Sequence, residues 1–215
     1  MKRIEIKFPC GNIDLEGVCQ FPDSDENFPV VIICHPHPLH GGDLHNHVVS
    51  AISRNLLQRS IATLRFNFRG VGQSGGNFGE GVGEQEDLKA AIEFALIQEN
   101  IDSTRLGLAG YSFGGGIVVP VAYNDERVKA ISLISPALEN DDWNLLRKYK
   151  MPKMLISGSN DEFFPFAQYE TKFKNIPGPK QFQIVNGADH FWQNFEVEAA
   201  EKVGRFFSEN LFSLA

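Results

Sequence analysis

Two segments near the start of the chain, Arg3 to Phe8 and Ile13 to Phe21, alternate apolar and polar residues on either side of the turn signal PCGN. This two-residue period predicts an antiparallel strand pair. The pattern then changes. VVIIC (Val30 to Cys34) is continuously apolar, as expected of a strand covered on both faces, and similar runs recur at IATLRF, RLGLAG, AISLI, KMLISG and QFQIV. Helical spacing lies between them. Val48, Val49, Ile52, Leu56 and Leu57 share one helical face, with Asp43 as the expected N-cap, and Leu88, Ala91, Ile92 and Ala95 share another after the GEQED start. Further helices are expected just after Ser112, near Pro165 and from about Gln193 to Asn210.

Strands alternating with helices behind an antiparallel pair specify an α/β fold, with a mostly parallel central sheet and helices on both faces. No internal repeat or linker-like tract divides the chain, so residues 1–215 are read as a single domain. A sheet of this kind carries its chemistry at the carboxyl ends of its strands.

Composition adds mainly exclusions. A chain of 215 residues, 42% hydrophobic and 22% charged, suits one soluble domain. The net charge of −7 leaves no basic stripe to neutralise phosphates, so a nucleic-acid partner is not expected. MKRIEIKF alternates instead of leading a basic stretch into an apolar one, so it reads as an edge strand and not as a secretory signal. No segment approaches membrane-spanning length, and no membrane partner is expected. Cys10, Cys19 and Cys34 are odd in number and lack CxxC spacing, which argues for a reduced, cytoplasmic protein.

The chemistry starts at GYSFGG, directly after RLGLAG. Gly110, Ser112 and Gly114 form G-x-S-x-G between an expected strand and an expected helix, the setting of a nucleophile elbow. A serine hydroxyl needs a general base within reach and an acid to orient that base. In this architecture the partners follow in the order acid, then histidine. MLISGSNDEFFP offers Asp161 after a buried strand, with Glu162 beside it. FQIVNGADHFW offers His190, the one histidine C-terminal to Ser112, with Asp189 adjoining it as a turn former.

With these motifs in order, the chain resembles a small α/β-hydrolase-fold serine hydrolase. It is close to the cap-less bacterial group whose first loop reads HPHP followed by GG, and more distantly similar to dienelactone hydrolases and acylaminoacyl-peptidase-like proteins. The resemblance runs from VVIICHPHPLHGG through FNFRGVGQSGG and GYSFGG to SGSNDEFFP and GADHFW. It implies an α/β-hydrolase fold without a cap domain and a catalytic set of Ser112, Asp161 and His190. Dienelactone hydrolases carry a cysteine nucleophile, whereas position 112 is serine.

The segment HPHPLHGGDLHNH holds five of the six histidines: His35, His37, His40, His45 and His47. With Asp43 it invites a metal reading, since imidazole suits zinc and nickel. Two prolines stiffen HPHP, however, and the spacing lacks HExxH, so neither metal nor cofactor is expected. His45 shares a helical spacing with Val49 and reads as a partly buried side chain behind the loop.

The loop instead suits an oxyanion hole, in which one N–H comes from Phe113, the residue after the serine, and a second comes from this segment. Pro36 and Pro38 cannot donate, which leaves His37 and Leu39; the resemblance points to His37. The glycine-rich FNFRGVGQSGGNFGEGVGE lacks dinucleotide spacing and reads as a rim loop anchored by Arg69.

Only Pro136 to Pro152 separates the strands where a cap is usually inserted, so an open site is expected. Leu39, Trp143, Phe163 and Phe191 are the candidate substrate contacts, within a set of mouth aromatics that also includes Phe113, Phe164 and Trp192. The expected partner is a small-molecule acyl compound, and a homodimer stays open. The expected activity is hydrolysis of small to medium carboxylic esters or thioesters. The alternatives are amide or peptide cleavage and a non-catalytic binding domain of the same fold.

Overall fold

In the computed structural model, which describes residues 2–24 and 26–212, the alternating segments form β1 (Lys2–Cys10) and β2 (Ile13–Phe21). They pair antiparallel from Lys2 opposite Phe21 to Cys10 opposite Ile13. The apolar runs become β3 (Phe28–Cys34), β4 (Ala62–Phe66), β5 (Ile101–Tyr111), β6 (Val128–Ile134), β7 (Lys153–Gly158) and β8 (Lys180–Val185). All lie in one eight-stranded sheet of order β1-β2-β4-β3-β5-β6-β7-β8. β2 meets β4 antiparallel, and every later pairing is parallel.

Among the described residues six α-helices cover the two faces: α1 (His47–Gln58), α2 (Val82–Leu96), α3 (Phe113–Tyr123), α4 (Asn140–Lys148), α5 (Phe166–Lys174) and α6 (Glu196–Leu211). β3 is buried at every residue because its side chains feed two cores in turn. Val31 and Ile33 pack with Ile52 of α1 and Phe207 of α6, whereas Val30, Ile32 and Cys34 pack with Leu88 of α2 and Val118 of α3. Each fully buried Val or Ile contributes roughly 1.5–3 kcal/mol. At the sheet's edges burial lapses: Lys2, Arg3, Glu5 and Lys7 of β1 are exposed, and Lys180, Gln181 and Gln183 of β8 are half-buried.

Three local expectations are corrected. Asp43 does not cap α1; its carboxylate accepts from the His45 N–H at 2.7 Å, while Asn46 Oδ1 accepts from Val48 N–H and Val49 N–H at 3.0 and 3.4 Å. The helix starts late because Leu44 is held in a turn, its N–H on Asn67 Oδ1 and its carbonyl on Arg65. His45 consequently precedes the helix and is exposed, not packed behind the loop. α6 also starts late, at Glu196, because Trp192 and Asn194 adopt φ of +60° and +67°. Between β6 and β7, α4 sinks Trp143 and Leu146 into the core, and the segment adds no layer of its own. Among the described residues no helix is long and apolar enough to cross a membrane.

Candidate functional site

β5 ends at Tyr111 and α3 starts at Phe113, so Ser112 makes the turn between them, at φ +53°. A side chain held there typically costs about 1–3 kcal/mol and persists only where the surroundings over-determine it. They do: the Ser112 N–H donates to Ile134 O, and the Ser112 carbonyl accepts from Gly115 N–H and Ala137 N–H, each at 2.9 Å. A Cβ on Gly110 would strike the Gly114 carbonyl, and one on Gly114 would lie 2.6 Å from Cys34 O. The two glycines therefore let helix and strand approach closely enough to lift Ser112 out of the sheet.

Loops after β5, β7 and β8 bring Ser112, Asp161 and His190 together. The Ser112 hydroxyl lies 3.1 Å from His190 Nε2, and His190 Nδ1 lies 3.0 Å from Asp161 Oδ2. Asp161 is buried, and its other oxygen accepts from Phe163 N–H and Phe164 N–H at 3.1 and 2.9 Å. Burial pushes this carboxyl up. Hydrogen bonds from His190, the Phe164 N–H and the Ser135 hydroxyl together outweigh burial and hold it below the usual carboxylate range. An ionised Asp161 favours the tautomer with the proton on Nδ1, which leaves the Nε2 lone pair facing Ser112. Glu162 is exposed, and Asp189 shapes the turn by accepting from Phe191 N–H and Trp192 N–H at 3.0 and 2.9 Å.

Two further contacts fix the His190 loop. The Tyr111 hydroxyl donates to the His190 carbonyl at 2.7 Å, and His47 Nε2 donates to the Phe191 carbonyl at 2.9 Å. They bridge 79 and 144 residues, so no local pattern announces them.

The imidazoles of His35, His37 and His40 each have a place. Leu39 N–H is spent on His37 Nδ1 at 3.2 Å, inside the short 3₁₀ turn Pro38–His40. The N–H groups of His37 and Phe113 have no hydrogen-bond partner among the described residues. Both residues line the same cleft as Ser112. The His37 ring packs on those of His40 and Phe113, with centroids 4.7 and 4.9 Å away. Among the described residues no three His, Cys, Asp or Glu side chains converge as metal ligands.

His35 is fully buried: Nδ1 donates to Pro36 O at 2.7 Å and Nε2 accepts from Phe68 N–H at 3.1 Å, which ties this loop to the one after β4. Burial pushes its pKa down to about 4, against weaker upward pulls from the Pro36 carbonyl, Asp43 and Asp87. Between that value and the ordinary 6.5, the unfolded chain binds a proton that the native state refuses. The His35 contribution to stability is therefore full above pH 6.5, is lost as pH falls, and levels off near pH 4 after a loss of about 3 kcal/mol. Urea denaturation across this range, compared with His35→Gln, measures it; an identical slope in the variant would rule out His35 as the source.

The cleft has a volume of about 520 Å³, with Phe163, Phe164 and Phe191 lining it beside His190. Among the described residues its lining holds no Asp, Glu, Lys or Arg. Two expected substrate contacts are corrected. Leu39 points outward at 68% exposure and does not line the cleft, because the 3₁₀ turn rotates it away. Trp143, on the inner face of α4, is buried with its ring 5.2 Å from that of Tyr169, since its large apolar surface is better covered in the core.

Arg69 anchors the glycine-rich loop as its sequence suggests. Its N–H, Nε and Nη2 all donate to the buried Asp87 carboxylate at 2.8, 3.0 and 2.7 Å. A Cβ on Gly83 would lie 2.7 Å from this guanidinium, so α2 must pass it without a side chain there.

The chain is similar to known proteins to differing extents. The family model described as PET hydrolase-like matches residues 84–209, and that of the X-Pro dipeptidyl-peptidase (S15 family) matches residues 12–145. An uncharacterized protein of Rickettsia prowazekii is 31% identical over 188 residues, covering 84% of this chain and 79% of that one. Cutinase est1 of Thermobifida alba is 29% identical over 116 residues, 50% of this chain and 38% of the cutinase, so the match spans well under half of that protein.

Among solved structures, a Coxiella burnetii alpha-beta serine hydrolase homologue has a TM-score of 0.86 at 34% identity, covering 100% of this chain and 99% of that one. A Xanthomonas campestris serine hydrolase described as without lid has a TM-score of 0.84 at 25% identity, covering 97% and 95%.

Proposed function

Because the chain belongs to the α/β serine hydrolase family, we propose that it cleaves small to medium carboxylic esters or thioesters through an acyl-enzyme on Ser112. The reading is carried by the continuous hydrogen-bonded line from Ser112 through His190 to Asp161 at an apolar cleft. Ser112 Oγ bonds to the acyl carbon as its proton passes to His190 Nε2. The charge on the carbonyl oxygen is met by the N–H groups of His37 and Phe113, at the positive end of α3. Collapse of this intermediate breaks the bond to the leaving group, which takes the proton from Nε2. Water then repeats the sequence in reverse, giving the free acid and restoring the Ser112 hydroxyl. Asp161 stays ionised throughout and balances the imidazolium.

Amide cleavage is the second reading, favoured by the S15 match. That match ends at residue 145, before Asp161 and His190, whereas the PET hydrolase-like match spans all three. A cleft without carboxylate side chains also has nothing to pair with a substrate's free amino terminus.

A fluorophosphonate probe, followed by peptide mass spectrometry, is expected to label Ser112. Turnover of p-nitrophenyl esters and acyl thioesters is expected to exceed that of matched aminoacyl amides. An unlabelled Ser112 would overturn the serine mechanism, and preferred amide turnover would overturn the ester assignment.

A further inference from the structure

The direction of proton delivery divides the cleft. In the acylation step proposed above, on which this inference rests, the proton on His190 Nε2 must reach the departing oxygen while the acyl carbonyl faces the His37 and Phe113 N–H groups. The leaving group therefore lies against the imidazole. What surrounds the imidazole is aromatic: the rings of Phe163, Phe164 and Phe191 have centroids 4.9, 5.3 and 5.7 Å from that of His190. Phe163 and Phe191 also meet each other edge to face, at 5.8 Å and 84°.

Packing around His190 does not account for this pair. Phe163 is 63% and Phe191 54% exposed, so most of each ring is open to solvent at the mouth of the cleft, where large apolar side chains grouped together usually mark a binding surface. An edge-to-face pair presents one ring face and one ring edge, which suits a third aromatic ring better than a flexible alkyl chain. Among the described residues the lining holds no Asp, Glu, Lys or Arg, so a permanently charged leaving group has no fixed counter-charge there.

We infer that Phe163 and Phe191 form the leaving-group subsite, and that the substrates are uncharged esters of an aromatic alcohol, whose ring rests on this pair. Because the alcohol departs with acylation, the subsite acts on acylation more than on breakdown of the acyl-enzyme.

The experiment compares benzyl, cyclohexylmethyl and methyl acetate, whose alcohols are similar in acidity, on the unsubstituted protein and on Phe163→Ala, Phe191→Ala and Phe191→Leu. Benzyl acetate is expected to have the highest kcat/KM, and the benzyl-to-methyl ratio is expected to fall about tenfold in each alanine variant. In pre-steady-state traces with p-nitrophenyl acetate, the burst rate should fall more than the following steady rate of acetyl-enzyme hydrolysis.

A cyclohexylmethyl ester as fast as the benzyl ester, with Phe191→Leu retaining the full ratio, would overturn the aromatic assignment. Equal losses for all three esters would overturn the subsite. If the unsubstituted protein fails to label at Ser112, the hydrolase reading itself falls; a labelled protein indifferent to the ring refutes the subsite alone.

Discussion

The double variant Ser112→Ala, His190→Ala is expected to turn over p-nitrophenyl acetate no more slowly than either single variant, each of which should lose about 10⁴ to 10⁶ in kcat. Removing Ser112 leaves His190 with no hydroxyl to deprotonate. Removing His190 leaves a hydroxyl too weakly acidic to attack. The two act as one unit, so the second loss removes nothing further. The remaining rate should come from the cleft and the N–H groups of His37 and Phe113, which both substitutions leave in place. Comparing kcat for the two single variants and the double variant decides the matter. Losses that multiply would mean that Ser112 and His190 act independently, contrary to the 3.1 Å contact between them.

Asp87→Ala is expected to destabilise the protein by about 3–5 kcal/mol, the largest stability effect foreseen for a single ion-pair residue. Its carboxylate is fully buried and answers three donors of Arg69, and Cys10 Sγ lies 3.4 Å from it. Truncation leaves the Arg69 backbone N–H unpaired and removes the counter-charge from a guanidinium whose side chain is only 22% exposed. Arg127 is the control. It pairs with Glu93 and Asp125 at similarly short distances, but its side chain is 44% exposed, so Arg127→Ala should cost about 1 kcal/mol or less. Urea midpoints at unchanged m-value measure both, and equal shifts would show that burial does not set the difference.

What the sequence made legible follows from which signals are local. Strand type was readable because burial on both faces of β3 and β4 erases alternation, while the half-covered β2 keeps it. Ser112 was readable because a turn this tight demands glycine at 110 and 114. Asp161 and His190 were readable from their places after β7 and β8.

The failures share another cause. Asp43 and Asn46 are chemically equivalent caps, and the choice fell to Leu44, held by Asn67 and Arg65 from β4 and its following loop. Trp143 carries the same ring whether it lines a cleft or fills a core, and only the docking of α4 against Tyr169 separates the two. The bonds from His47 and Tyr111 to the His190 loop depend on how distant loops meet, which no periodicity encodes.

The two borders of the sheet bear on how the chain behaves in a crowded solution. An open sheet offers unpaired N–H and C=O groups along its outermost strands, a template on which a strand of another molecule can grow. Here one border displays Lys2, Arg3, Glu5 and Lys7 over most of its length, and the other presents the half-buried amides of Gln181 and Gln183. Intermolecular strand addition at either border would have to desolvate charges or amides, so the hydrophobic strands stay sequestered at the centre. The polar alternation that announces β1 in the sequence thus also works against fibril growth.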